Sequence, residues 1–392
     1  MSDKVYVDAT YKSLIKYNEE LCGDNVEIVK NDDRYIVVLS DGLGSGVKAN
    51  ILSTLTAKII STMLYEGSSI EDTVDTIVHT LPICNVRKVA YSTFIILQID
   101  YDGNAYLVEF DAPGCIFVRN GRLVPIEYTY REIAGKAIRE ARFKVEPDDV
   151  LTLMSDGVVY AGIGHLMNLG WTWENVCEFV SGRVRPGITS ARLTSMLSDT
   201  CNQLYINKPG DDTTVATVRV VPKKVVSLYS GPPVNPKNDA RLVTEFMMTE
   251  GKKIVCGGSS ANIVSRVLKE PLIPSLEYID PEIPPTAEIP SIDLVTEGVI
   301  TLKKTVDIIR AYVENPTDKS VLLKLDRKNG ASLIAKMLIE ECTHFHMFIG
   351  QKINPAHQNP DLPVDLSIKM IIMDELYSLM VKAGKVVKRN YY

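Results

Sequence analysis

Ser40-Asp41-Gly42-Leu43-Gly44-Ser45-Gly46 follows directly on Tyr35-Ile36-Val37-Val38-Leu39, an apolar run rich in β-branched residues. Such a run reads as a buried strand. The Asp-Gly behind it reads as a sharp turn, because glycine tolerates positive φ and aspartate bonds its own backbone. The Asp41 carboxylate is then left at a strand tip. The pattern repeats where Val150-Leu151-Thr152-Leu153-Met154 runs into Ser155-Asp156-Gly157, and it is reversed at Gly210-Asp211-Asp212-Thr213-Thr214, where an apolar strand over 215–220 starts behind the acids. Asp24, in Cys22-Gly23-Asp24-Asn25, stands just before the apolar alternation of 26–29 and is a fourth candidate. One Asp-Gly alone is usually only a turn. Several of them at strand boundaries bring carboxylates from separate strands to one end of a sheet, and an oxygen-only ligand set suits hard divalent cations. The pattern points to a metal-dependent hydrolase.

The motifs carry a resemblance beyond this chemistry. Cys22-Gly23-Asp24, Asp41 to Gly46 (DGLGSG), Tyr91-Ser92-Thr93-Phe94, Asp111-Ala112-Pro113-Gly114, Leu151 to Val158 (LTLMSDGV) and Gly210 to Val215 (GDDTTV) occur in the order found in the PPM metal-dependent protein phosphatases. Over about residues 12–221 the chain resembles that family, and most closely the bacterial branch typified by stage II sporulation protein E. The resemblance implies an α+β fold with a β-sandwich of two antiparallel sheets flanked by helices, and two Mn²⁺ or Mg²⁺ ions between the sheets. It makes Asp41 the ligand that bridges both ions and Gly42 a ligand through its backbone carbonyl. Asp156 and Asp211 hold the other side of the pair, Asp24 matches the acidic residue of the first motif, and Asp212 is a weaker ligand. Two ions about 3.5–4 Å apart lower the pKa of a bridging water and clamp both oxygens of an in-line displacement. Asp41, Asp156 and Asp211 would thus be catalytic through metal-bound water, acting on phosphoserine or phosphothreonine. Ser40, Ser45 and Ser155 read as turn or cap hydroxyls, not as covalent nucleophiles. An alternative is a weakly active or non-catalytic scaffold that uses the phosphatase fold as a binding module.

The larger eukaryotic members hold the phosphate with an arginine near the N-terminus, whereas here Arg34 lies past Asp24 and no other arginine precedes Arg87. No phosphate-binding arginine is assigned. In the sporulation branch the first helices after the DGxGxG motif act as a switch. The corresponding stretch is 47–64, where Ala49, Leu52, Leu55, Ile59 and Met63 recur at helical spacing and are expected in the core.

Composition narrows the class. The 392 residues suit about two or three domains. At 45% hydrophobic and 23% charged residues the chain is ordinary for a globular protein, and no apolar run approaches the roughly 20 residues of a membrane helix. With no signal-peptide pattern, a cytoplasmic location is expected. The seven scattered cysteines, none in a CxxC pair, indicate neither a disulfide framework nor a zinc site. A net charge of −6 offers no overall attraction to nucleic acid or an anionic membrane, so a protein or small-molecule partner is expected, a phosphoprotein substrate being what the resemblance implies.

The phosphatase-like unit is expected over 1–221. Pro222-Lys223-Lys224 and Ser230-Gly231-Pro232-Pro233-Val234-Asn235-Pro236 make 222–250 a linker or boundary region, and 251–392 reads as a smaller α/β domain, with helices and strands expected to alternate through it. Within it, 252–264 reads as strand, glycine turn and helix start, and the prolines of 271–290 suggest an extended covering segment. Helices are expected over 301–313, 330–341 and 365–383, and strands over 343–349 and 385–391. The turn at Gly257, Gly258 and Ser259 is favoured as a plain βα connection, with a phosphate or small-molecule ligand as its alternative. His357, in a loop after a strand, is likewise favoured as structural over ligand-binding. Sensing a ligand, forming a homodimer and choosing the phosphoprotein are all open roles for this tail.

Overall fold

The computed structural model describes residues 4–80, 92–277, 279–352 and 368–392. Cys84, Arg87, Tyr91 and His357 lie outside the described residues. The chain divides into two compact units, Met1–Pro222 and Lys223–Tyr392.

The first unit runs β1 Val5–Leu14, β2 Asp24–Lys30, β3 Arg34–Gly42, α1 Gly46–Tyr65, α2 Ile70–Thr80, β4 Ser92–Asp100, β5 Asn104–Phe110, β6 Ile116–Arg119, β7 Arg122–Leu123, β8 Thr129–Ile133, β9 Lys136–Lys144, β10 Val150–Met154, α3 Asp156–Val159, α4 Trp173–Ser181, α5 Ser190–Leu204 and β11 Thr213–Pro222. Its strands form two antiparallel sheets, in the orders β2-β3-β4-β5-β9-β8 and β1-β11-β10-β6-β7. Val37, Leu39, Ile95 and Leu97 of the first sheet bury against Leu151, Leu153, Ala216 and Val218 of the second. The outer face of the first sheet packs Ile36, Val38 and Ile96 against Ala57 and Ile60 of α1 and Val74 and Ile77 of α2. The outer face of the second packs Val150, Met154 and Val215 against Val176 and Val180 of α4 and Leu193 and Leu197 of α5. Burial on both faces is why 35–39 and 150–154 are continuous apolar runs and not alternating ones.

On α1 the structure corrects the expected stripe. The buried positions are Ala49, Ser53, Thr56, Ala57, Ile60, Ser61 and Leu64, while Leu55 is exposed and Leu52, Ile59 and Met63 are only half-buried. The helix lies so close to β3 that small side chains fill its inner face. An apolar-periodicity reading is blind to serine and threonine used in this way.

The second unit contains β12 Val225–Ser230, α6 Asp239–Met248, β13 Lys252–Cys256, α7 Gly258–Leu268, β14 Ile273–Pro274, β15 Ala287–Glu288, β16 Leu294–Thr296, α8 Val299–Glu314, α9 Lys319–Leu325, α10 Gly330–Glu340, β17 His344–Ile349, α11 Ile368–Lys382 and β18 Val386–Tyr391. Its sheet has the order β14-β15-β16-β13-β12-β17-β18, parallel from β16 to β18 with an antiparallel edge at β14 and β15. The stretch 222–250, expected as a linker, instead holds β12 at the centre of the parallel part of this sheet, with Val226 and Leu228 fully buried, followed by α6. The glycine and prolines after Ser230 end that strand; they do not mark a boundary. Pro271 to Pro290, expected as an extended cover, supplies the two short edge strands β14 and β15.

Candidate metal centre

In β3 the side chains of Val37, Leu39 and Asp41 share the face turned toward the second sheet, since alternate residues of a strand face the same way. Asp24, at the start of β2, stands directly opposite Asp41 in the antiparallel register. In the other sheet, β10 and β11 pair with Met154 opposite Val215, so Asp156 just after β10 and Asp211 and Asp212 just before β11 arrive at one end of the ladder. The two sheets thus carry the predicted acids to a common end of the sandwich. There a cavity of 790 Å³ is lined by Asp41, Gly42, Asp111, Asp156 and Asp211, with Lys16 its one basic residue among the described residues. Asp24 and Asp212 do not line it; both are buried, each 4% exposed.

The hydrogen bonds of these two inner acids are incomplete. Asp24 Oδ2 accepts from Ser155 Oγ at 2.8 Å, and Asp212 Oδ1 accepts from the Lys16 backbone N–H at 3.0 Å. Asp24 Oδ1 and Asp212 Oδ2 are buried with no partner. A buried carboxylate oxygen left unbonded is costly unless a cation or donor reaches it. The titration of the cluster agrees. Burial, then the neighbouring Asp24, Asp156 and Asp211 charges, push Asp41 up to about 9. Burial pushes Asp24 up to about 6, and burial followed by the Asp211 charge raises Asp156 as well. These groups cannot all ionise together without added positive charge.

Divalent cations would supply that charge, and the donor set fits them, since it offers only hard oxygen ligands, two of them unbonded. Among the described residues no three acidic, histidine or cysteine side chains converge closely enough to hold an ion as they stand.

The glycines serve a purpose different from the expected one. Gly42 and Gly157 are not among the positive-φ residues; Gly42 ends a strand and Gly157 sits in the first turn of α3. What each needs is the absence of a side chain, for a Cβ on Gly42 would lie 2.1 Å from the Ala49 carbonyl oxygen and one on Gly157 2.1 Å from that of Asp212. The positive φ falls on Gly44 (+99°) and Gly46 (+69°), which swing the chain into α1.

The three serines are structural, in ways the motif reading did not foresee. Ser45 and Ser155 occupy N-cap positions without making a side-chain cap bond. Ser45 Oγ donates to Glu19 at 2.9 Å, while Ser155 Oγ donates to Asp24 and accepts from the Thr214 N–H at 2.9 Å, fastening the two sheets across the site. Ser40 Oγ donates to the Thr93 carbonyl.

Lys16 and Asp111 were missed as site residues. Leu14 pairs with Thr213, so the end of β1 delivers Lys16 beside the third acidic turn, where its Nζ lies 3.4 Å from Asp211 Oδ1. The signal available was β1 itself, ten residues of strand that the motif search passed over. Asp111 adopts φ +49° at the cavity edge. Its loop is pinned by the buried Glu109, which accepts from the Cys115 N–H at 2.7 Å and pairs with Arg139, itself a donor to the Ala112 carbonyl at 2.8 Å.

In the second unit, Gly257 caps α7 with φ +105°, its N–H bonded to the Thr296 carbonyl at 2.9 Å, and Gly298 of the next loop packs directly against it. Close backbone packing and positive φ account for Gly257, while an added Cβ on Gly258 would meet nothing within 4 Å.

Comparison with known families fits this geometry. Residues 31–221 match the family model described as Stage II sporulation protein E (SpoIIE), and this stretch is a SpoIIE-family domain with a PP2C-like fold. No curated protein matches the chain. Among solved structures, the PP2C phosphatase domain with a fragment of the regulatory domain of SpoIIE from Bacillus subtilis is 18% identical, covering 57% of this chain and 65% of that one with a TM-score of 0.49. The RsbU and RsbW domains of Rv1364c from Mycobacterium tuberculosis are 16% identical, covering 62% and 68%, with a TM-score of 0.44. The catalytic domain of the serine threonine protein phosphatase PstP, solved with two manganese ions, is 15% identical, covering 55% and 99%, with a TM-score of 0.37. Likenesses this distant say nothing of what this chain acts on.

Proposed function

We propose that the first unit is a metal-dependent protein serine/threonine phosphatase that acts, in the bacterial cytoplasm, on the phosphoserine or phosphothreonine of a regulatory protein. The supporting observation is the meeting of Asp24, Asp41, Asp156, Asp211 and Asp212 from both sheets at one end of the sandwich, with two buried carboxylate oxygens unbonded. Asp41 and the Gly42 carbonyl, with Asp156 and Asp211, would hold Mn²⁺ or Mg²⁺, with the unbonded oxygens of Asp24 and, more weakly, Asp212 as further ligands. When bound, the ions supply a water of lowered pKa and positive charge for the attacking and leaving oxygens. The chain's own contribution is to place those ions, exclude competing nucleophiles and orient the phosphate. Serine attack has no place in this scheme, because the Ser40, Ser45 and Ser155 hydroxyls are all committed to structural bonds.

The chelation test is direct. Hydrolysis of p-nitrophenyl phosphate by the full chain is expected with Mn²⁺ and to fall to background in EDTA; equal rates would remove the enzymatic reading.

Lys16 is the residue we assign to orient the substrate phosphate, as the one cation among the described residues of a cavity that carries four aspartates. Lys16→Ala is expected to raise KM for a phosphoprotein by roughly 10-fold, the loss of one charge-assisted hydrogen bond, with a smaller change in kcat. Lys16→Arg should recover most of it. Steady-state kinetics of the three forms would decide the matter, and an unchanged KM in Lys16→Ala would strike Lys16 from this role.

A further inference from the structure

About seven residues along β3 from Asp41, and therefore roughly 23 Å away, the outer face of the six-stranded sheet carries a second cavity. It measures 410 Å³ and is lined by Arg34 of β3, Gln98 and Asp100 of β4, Asn104, Ala105 and Tyr106 of β5, and Arg142, Phe143 and Lys144 of β9. The strand registers make it an ordered array. Gln98 pairs with Tyr106 and Tyr106 with Arg142, while Arg34 stands opposite Asp100 and Asn104 opposite Lys144 in the adjoining row.

The cations of this cavity are held differently from the arginines that pair with carboxylates. Arg119, Arg131, Arg139, Arg219, Arg241, Arg266, Arg310 and Arg389 each pair with a carboxylate. Here neutral groups do the holding. Arg34 Nη1 donates to Gln98 Oε1 at 3.0 Å, Arg142 lies over the Tyr106 ring at 3.6 Å from its centre, and Lys144 Nζ donates to Asn104 Oδ1 at 3.0 Å. Gln98, which anchors Arg34, is itself buried. The one acid, Asp100, is taken up by the β4–β5 turn, accepting from the Asp102 N–H, the Asn104 N–H and Asn104 Nδ2 at 2.9, 2.8 and 2.7 Å. Those turn bonds offset its burial, and with the Lys144 charge they hold its carboxyl below the usual range. Asp100 stays ionised, so three cations and one anion leave the pocket a formal charge of +2. A fixed guanidinium keeps its planar fork of N–H donors ready for an oxyanion, and less freedom is lost when the anion arrives.

We propose that this pocket is an anion site that takes a phosphoryl group. A dianion matches the surplus charge, whereas a single carboxylate would leave half of it uncompensated. The site is separate from the acidic cavity and does not depend on the phosphatase reading.

The test is calorimetric titration of the full chain in EDTA, where the acidic cavity repels anions and the signal reports this pocket. Two probes are used, inorganic phosphate and a phosphoserine peptide. Wild type and Asp41→Asn should bind with the same affinity, the Arg34→Ala/Arg142→Ala variant at least about 10-fold more weakly, and affinity should fall as NaCl rises. Tighter binding of the peptide identifies the group as one carried by a protein, and equal binding as the free ion. Should the double alanine variant fail to fold by circular dichroism, Arg34→Lys/Arg142→Lys keeps the charge and loses the forks, and weaker binding is expected of it too. Absence of binding by wild type up to about 10 mM of either probe, or equal binding by wild type and the folded arginine variant, overturns the proposal.

Discussion

Asp41→Asn is expected to lower kcat/KM for a phosphorylated substrate by about 10³-fold or more at saturating Mn²⁺, while leaving the fold intact. Asp41 is the acid whose titration is displaced furthest in the cluster, because it is buried and faces Asp24, Asp156 and Asp211 together. Any cation entering the cavity gains most from this carboxylate, and the chemistry the ions would supply depends on their being held there. The same substitution relieves the penalty that the metal-free protein meets in ionising this carboxyl. Its melting temperature in EDTA should therefore equal or exceed that of wild type, an exchange of stability against activity common at functional sites. Phosphate-release kinetics and thermal melts would check both halves. Activity within a few-fold of wild type would show that Asp41 holds nothing the reaction needs.

Gly42→Ala is expected to be the most damaging single-methyl addition at the site. The new Cβ would stand 2.1 Å from the Ala49 carbonyl oxygen and 2.8 Å from the Ala49 Cα, all backbone atoms that no rotamer change can move. Relief requires α1 to shift away from β3, at about 3 kcal/mol, the upper range for overpacking. For a unit of this size that lowers the melting temperature by roughly 6–12 °C. Gly44→Ala is the control, since Gly44 has φ +99° but nothing within 4 Å of its added methyl, so only backbone strain of about 1 kcal/mol applies. Scanning calorimetry of the two variants would separate steric contact from backbone conformation. Equal losses in both would mean that the close approach of α1 to β3 is not what Gly42 provides.

The two-sheet fold came from the family resemblance, while Asp41, Asp156 and Asp211 were legible because each stands at the end of a strand buried on both faces, and a run such as 35–39 has few other uses. The reason for the glycines was not. Sequence offers a turn as the usual explanation of Asp-Gly, while the need for Gly42 and Gly157 arises from Ala49 and Asp212, residues met only after folding. Lys16 escaped for a related reason, as its place in the site comes from the pairing of β1 with β11, some 200 residues apart in the chain. In the second unit, β12 was hidden behind the glycine and prolines that end it, which drew attention to a break where the central strand of a parallel sheet had just finished. On α1 the apolar count overlooked Ser53, Thr56 and Ser61, which are buried because a helix pressed against a strand needs small residues more than greasy ones.

The account's central claim is that aspartates from two sheets jointly hold divalent cations, and titration calorimetry of Mn²⁺ into the full chain tests it most directly. Wild type is expected to bind two ions with dissociation constants below about 1 mM, and Asp41→Asn to lose at least one of them while keeping its fold. Identical isotherms for the two proteins, or no Mn²⁺ binding by well-folded wild type, would contradict it.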